Sequence, residues 1–185
     1  KDLLGVEIYA GLIEDLKDKI IEDYRNKVKV AIVSGSLQHM LDPLTCLKIA
    51  REILMPSGML YICNKDIFRH YLSLKSPYPR PFAELRTVDH PHYFHPDCYR
   101  NMVEIAGLEI VKFVSDSKVR LVHMELLAVK KEEPAIVSRE SDYQSIIDRI
   151  NEMDAKVTVY RSFPARLLRF IKRNVKKLIN IHKRK

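Results

Sequence analysis

Histidine is the side chain here best suited to acid–base chemistry at neutral pH, and the chain holds seven of them. An imidazole can take or give a proton near neutrality. Four of the seven lie in two short stretches. His39 follows Ser34-Gly35-Ser36, and His90, His92 and His95 interleave with Pro91, Tyr93 and Phe94. The H-x-H-x-x-H spacing invites a metal ion. No pair of carboxylates accompanies it, so the expectation is that no metal is held there. His39 has two roles open to it: general base toward a substrate hydroxyl, or a hydrogen bond that fixes its own loop.

Val28 to Val33 (VKVAIV) is a largely apolar, β-branched run, the pattern of a strand buried on both faces of a sheet. It ends at Ser34-Gly35-Ser36, where the chain can turn sharply. Asp42-Pro43 offers an N-cap with proline at the first helical position. Leu44, Leu47, Ile49, Ala50, Ile53 and Leu54 continue that helix until Pro56-Ser57-Gly58 stops it. Met59 to Cys63 (MLYIC) reads as the next strand. A strand, helix and strand joined this closely imply a parallel pair. A short helix is expected over Lys65–Leu74, a proline- and aromatic-rich loop over Ser76–His95, and a helix over Pro96–Ala106 closed by Gly107. Leu108–Val114 and Val119–Lys130, joined by Ser115-Asp116-Ser117, predict an antiparallel hairpin. Upstream, Val6–Ala10 reads as a short strand and Leu12–Tyr24 as a helix.

The chain has 185 residues, 46% of them hydrophobic. That supports one ordinary domain with an extension. No run approaches the ~18 apolar residues of a membrane span. Cys46, Cys63 and Cys98 form no C-x-x-C pair, which favours free thiols in a reducing cytoplasm. The net charge of +8 is uneven. Ten of the 32 basic residues fall in 161–185, which contains no Asp or Glu. The sequence Lys130-Lys131-Glu132-Glu133-Pro134 marks a boundary, giving an expected domain over 1–133 and a helical extension over 134–185.

Three phrases, in order, resemble class I S-adenosylmethionine-dependent methyltransferases of the glycan- and small-molecule-modifying type. Val30-Ala31-Ile32-Val33-Ser34-Gly35-Ser36-Leu37-Gln38-His39-Met40-Leu41-Asp42-Pro43 is similar to the family's D-V-I-x-x-x-x-x-L-E-H-L-x-D-P. Leu54-Met55-Pro56-Ser57-Gly58-Met59-Leu60 is similar to L-K-P-G-G-x-L. The stretch from His90 to Leu108 is similar to H-x-x-F-F-T-P-E-S-L-x-x-L-L-E-x-A-G-F. Together they cover about 100 residues. The resemblance implies the C-terminal half of a Rossmann-like α/β sheet, mostly parallel, with a terminal antiparallel hairpin. The N-terminal part of that sheet is then missing from this chain, and a helical tail is added.

The resemblance also implies S-adenosylmethionine at the C-terminal ends of the parallel strands, in keeping with the general rule for open α/β sheets. It assigns backbone contacts to Ser34, Gly35 and Ser36. Tyr9-Ala10-Gly11-Leu12-Ile13-Glu14-Asp15, set against V-x-G-D-I-E-D, adds Leu12 and Ile13 as cofactor-binding positions. His39 becomes the candidate base and His90 the second catalytic candidate, on a loop that reads as a lid over the acceptor. The family's glycine-rich D-x-G-x-G-x-G loop is absent. Leu12 replaces the usual Asp, Gln38 the usual Glu, and Ser57 the first glycine of the turn. A rival reading follows from those departures: a degenerate methyltransferase-like module that catalyses nothing and serves interactions.

In the tail, Leu167, Leu168, Ile171, Val175, Leu178 and Ile179 share one helical face and Arg166, Arg169, Lys172, Arg173, Lys176 and Lys177 the other. This pattern suits a helix lying on an anionic membrane, at the inner face of the cytoplasmic boundary. Packing on its own domain or a partner subunit is the second reading. Nucleic acid is the third, since only Phe163 and Phe170 are available for stacking. Tyr160 to Phe170 resembles a tail phrase of polysaccharide-cluster enzymes and turns the expected acceptor toward glycans or lipid-linked sugars. A sheet without its first strands presents an open edge. That edge calls for a homodimer, a covering strand from Lys1–Gly11, or a longer natural chain.

Overall fold

Asp42 caps the first long helix of the chain as its position before proline predicts. The structure is a computed structural model, and it describes residues 7–70, 80–85, 90–115, 123–131, 143–162, 164–165 and 167–172. The capped helix is α2, Pro43–Ile53. The Asp42 carboxylate accepts from Thr45 N at 3.0 Å and from the Thr45 hydroxyl at 2.6 Å. The hydroxyl contact, with the backbone one behind it, holds the Asp42 carboxyl below the usual carboxylate range. Such a cap contributes about 1 kcal/mol.

The described residues fall into two compact units, one drawn from ranges 1–66 and 87–141, the other from 67–86 and 142–185. In the first, α1 (Lys17–Tyr24), β1 (Val28–Ser34), α2, β2 (Leu54–Lys65), α4 (Pro96–Ile105), β3 (Leu108–Val114) and β4 (His123–Lys130) follow one another. The intervening short helix α3, Ile67–His70, belongs to the second unit. The strands form one sheet in the order β1-β2-β4-β3. β1 and β2 are parallel, as the strand–helix–strand spacing requires, while β2/β4 and β3/β4 are antiparallel.

One face of the sheet carries the core. Leu60, Ile62, Leu126, Ala128 and Met124 meet Cys46, Leu47 and Ala50 of α2 and Tyr99 and Val103 of α4. Burial pushes the Cys46 thiol up to about 12, so it behaves as a small apolar side chain. Gly107 closes α4 with φ +78°, the left-handed C′ position that glycine favours. A Cβ there would lie 2.6 Å from Arg51 Nε, which itself donates to the Gly107 carbonyl.

Three expectations are corrected. β1 is buried on one face only: Ala31 and Val33 pack on the core, whereas Val30 and Ile32 are 49% and 68% exposed. The reason is that the core helices α2 and α4 pack on a single side of the strand. The second strand begins at Leu54, ahead of Met59. Pro56-Ser57-Gly58 is absorbed as an irregularity between the pairs Val28↔Leu54 and Val30↔Met59. Of the short strand expected over Val6–Ala10, Glu7–Ala10 form no strand, and Val6 lies outside the described residues. Side chains hold this segment to α1 instead: the Tyr9 hydroxyl donates to Asp23 at 2.7 Å and the Tyr24 hydroxyl to Glu7 at 2.5 Å. Of the covering strand expected from Lys1–Gly11, the described residues Glu7–Ala10 therefore add nothing to the sheet, and 1–6 lie outside the described residues. The hairpin turn Ser115-Asp116-Ser117 lies outside the described residues beyond Ser115.

In the second unit, α5 spans Tyr143–Arg161, longer than the polar helix expected over Ser141–Lys156. Its stripe of Ile146, Ile147, Ile150 and Met153 is half-buried and Val157 fully so. Arg149 lies over the Phe68 ring at 4.2 Å. Asp154 accepts from Phe82 N and Arg161 pairs with Glu84. Among the described residues no helix is long and apolar enough to cross a membrane.

Candidate functional site

The two parallel strands end side by side. Gly35 N donates to the Cys63 carbonyl at 2.8 Å, so the turn after β1 sits against the C-terminal part of β2. Gly35 has φ +63°, which glycine adopts without the penalty other residues pay, and a Cβ there would meet nothing within 4 Å. Ser34 and Gly35 are exposed and Ser36 half-buried. Ser34–Ser36 thus present open backbone at the end of a strand.

The next three residues, Leu37–His39, make one 3-10 turn. Leu37 drops into the core and fixes the turn. Gln38 follows it inward and is 7% exposed, whereas His39 points out to solvent. The Gln38 amide nitrogen lies 3.2 Å from His39 Nε2 and 3.1 Å from His90 Nε2. The two imidazole rings are 4.4 Å apart between centroids, tilted by 48°. They stand fifty-one positions apart in the chain, so the fold alone brings the two sequence candidates together.

The loop carrying His90 is held at several points. Phe94 bridges to Asp66, just past β2. His92 Nε2 lies 3.3 Å from the Leu41 carbonyl. Tyr93 meets the His90 ring edge-on at 6.3 Å. His95 is the N-cap of α4, its Nδ1 accepting from Asp97 N at 3.1 Å. That role explains its place in the H-x-H-x-x-H run. Among the described residues no group of three or more His, Cys, Asp or Glu is placed to hold a metal.

Leu12 and Ile13 lie on the turn that leads into α1. Glu14 Oε1 accepts from Asp42 N at 2.9 Å and ties this turn to the loop after β1. The Leu12 side chain is exposed, but its carbonyl is already used by Asp15 N and Leu16 N, both at 3.1 Å. Ile13 packs its side chain against the core, leaving only its backbone for a ligand. A separate cleft of about 320 Å³ opens among Lys17, Ile21, Lys48, Arg51, Ile105 and Gly107. It flanks the C-terminal half of α2, whereas the histidine loops meet the N-terminal end of that helix. Sequence reasoning noticed Gln38 only as a substitution and missed it as the residue joining the two histidines. Its one local signal was burial implied by the neighbouring Leu37.

No family model matches the chain, and no curated protein does. Solved structures do. A Mesorhizobium loti S-adenosylmethionine-dependent methyltransferase is 12% identical with a TM-score of 0.45, covering 57% of this chain and 64% of that one. A Methanosarcina mazei S-adenosylmethionine-dependent methyltransferase is 15% identical, TM-score 0.44, covering 60% and 62%. The Burkholderia thailandensis 1,6-didemethyltoxoflavin-N1-methyltransferase, solved with 1,6-didemethyltoxoflavin and S-adenosylhomocysteine, is 18% identical, TM-score 0.44, covering 61% and 48%. The fold itself is a four-stranded mixed α/β sheet whose β1/β2 pair is parallel. The chain spans about half to two thirds of the length of these structures.

Proposed function

We propose that this chain forms the acceptor-side part of an S-adenosylmethionine-dependent methyltransferase acting on a hydroxyl of a glycan, lipid-linked sugar or other small molecule. The observation that supports the reading is the meeting of His39 and His90 beside the open turn at the end of the parallel pair. S-adenosylmethionine, when bound, supplies an activated methyl group, so positioning does much of the work. The backbone of Ser34–Ser36 is the surface offered to it. His39, the exposed member of the pair, takes the proton that the acceptor hydroxyl loses as its oxygen gains the methyl group. His90, on the loop above, orients the acceptor.

Calorimetric titration of S-adenosylmethionine into the natural full-length protein should give saturable heat. In His39→Ala that heat should persist while kcat falls by about 10²–10⁴. A complete absence of cofactor heat rejects the methyltransferase reading and leaves the non-catalytic interaction module.

A second reading concerns the tail. Residues 164–165 and 167–172 are helical where described, and Leu167, Leu168, Phe170 and Ile171 are all exposed. Arg169 lies over the Tyr160 ring at 3.6 Å, and Lys172 is exposed. Exposed apolar side chains beside basic ones, with no acid among 161–185, suit an anionic membrane surface. Each basic residue near such a surface is worth about 1 kcal/mol. The chain should co-sediment with phosphatidylserine vesicles and lose this on removal of 161–185. Equal sedimentation of both forms eliminates the tail as the anchor.

A further inference from the structure

Gln38 carries a side chain more than nine-tenths buried, and its amide nitrogen faces two imidazoles at once. An amide NH2 has two hydrogens and no lone pair to offer, so it can only donate. Two hydrogens meet two ring nitrogens, His39 Nε2 at 3.2 Å and His90 Nε2 at 3.1 Å. A ring nitrogen that accepts carries no hydrogen, so in each neutral ring the proton must sit on Nδ1.

We propose that Gln38 is a positioning residue: its single amide group holds His39 and His90 together and fixes both as Nδ1–H tautomers with the lone pair on Nε2. The inference deepens the methyl-transfer reading and rests on it for its chemical meaning. Nε2 of His39 is then the basic atom, and the acceptor hydroxyl takes the place of the amide there. The O–H proton passes to His39 Nε2 as the oxygen forms its bond to the methyl carbon and the S–CH3 bond breaks. The acceptor's arrival thus releases one arm of the clamp while His90 retains the other, and the amide, a pure donor, cannot return to that nitrogen while it is protonated. The geometry also distinguishes glutamine from the glutamate it replaces in the resemblance. A carboxylate accepts only, and would demand the opposite tautomer in both rings.

The test is ¹⁵N–¹H correlation of the imidazoles in the full chain, well above the ordinary imidazole titration range. The wild type should show Nδ1–H in both His39 and His90. Gln38→Glu should invert both to Nε2–H, and Gln38→Ala should leave each ring a mixture of the two. A merely space-filling Gln38 would leave the tautomers unchanged in Gln38→Glu, and that result overturns the proposal. So does Nε2–H in either ring of the wild type, a measurement that requires no variant to fold. The spectrum needs neither cofactor nor acceptor. Its failure therefore removes the role of Gln38 alone, whereas absent cofactor heat removes the methyl-transfer reading alone. Where both hold, Gln38→Glu should lower kcat at least tenfold with cofactor affinity unchanged.

Discussion

Tyr99→Ala is expected to cost about 3–5 kcal/mol, the range seen when a large buried aromatic is cut to alanine. That is a large share of the ~5–15 kcal/mol by which a domain is stable. Tyr99 is fully buried, and its ring lies 5.9 Å from Phe94 and 6.4 Å from Phe113. It thus joins α4 to the histidine loop on one side and to β3 on the other. Removing it empties the centre of the core rather than its rim. Tyr99→Phe should behave in the opposite way. The Tyr99 hydroxyl has no hydrogen-bond partner among the described residues, and a buried unpaired polar group costs about 1–3 kcal/mol. The phenylalanine variant should match or exceed the wild type in a urea midpoint followed by circular dichroism. A loss as large as that of the alanine variant would show that the hydroxyl is bonded, and would sink the argument.

The same burial gives a pH dependence with a definite sign. Burial pushes the Tyr99 phenol well above its ordinary value, while in the unfolded chain it ionises near 10. A group raised on folding contributes stability that is fully present below the unfolded value and lost as pH rises through the folded one. Wild-type stability should therefore fall above about pH 10. Tyr99→Phe should lose that part of the alkaline slope and keep the rest.

Much of the fold was legible because its signals are local. The β-branched run of β1, the Asp42-Pro43 cap and the glycine after α4 each act within a few residues of their effect, and each appears where expected. The antiparallel hairpin was legible for the same reason. The start of β2 was not, because Pro56 and Gly58 normally end structure, and here they are carried as a bulge between the pairs Val28–Leu54 and Val30–Met59. The open face of β1 was not legible either. VKVAIV reads the same whether one or both faces are covered, and only the placement of α2 and α4 decides it. His39 and His90 were singled out by residue type and by the resemblance, and the fold sets them side by side, but the amide that joins them was not noticed. A hydrogen bond between residues 52 apart leaves no periodic trace, and glutamine carries no expectation of chemistry.

Gly58 shows how a turn residue becomes a packing residue. A Cβ at this position would lie 2.8 Å from the Val28 carbonyl oxygen, 2.9 Å from Leu54 Cδ2 and 3.0 Å from the Met55 carbonyl oxygen. Two of these atoms are backbone, so no side-chain rotation relieves the contact. Val28 and Leu54 are paired strand partners, and the next pair is Val30 with Met59. Relief must therefore come from moving β1 away from β2 where the bulge already loosens the ladder. Gly58→Ala should cost about 1–3 kcal/mol, the range for overpacking a fitted interior, and Gly58→Val more. Gly35→Ala is the fitting comparison. Gly35 needs a left-handed φ but has open space around it, so its cost is conformational strain of about 1–2 kcal/mol with the ladder intact. Hydrogen exchange separates the two mechanisms. Gly58→Ala should lower protection of the β1 amides around Val30 beyond the global loss, and Gly35→Ala should not. An unchanged urea midpoint in Gly58→Ala would mean that the strand pair yields freely there. The neighbouring Ser57, which stands where the resemblance has a glycine, is exposed and meets no such limit. Of the two glycines in that turn, this chain keeps the one that the sheet itself requires.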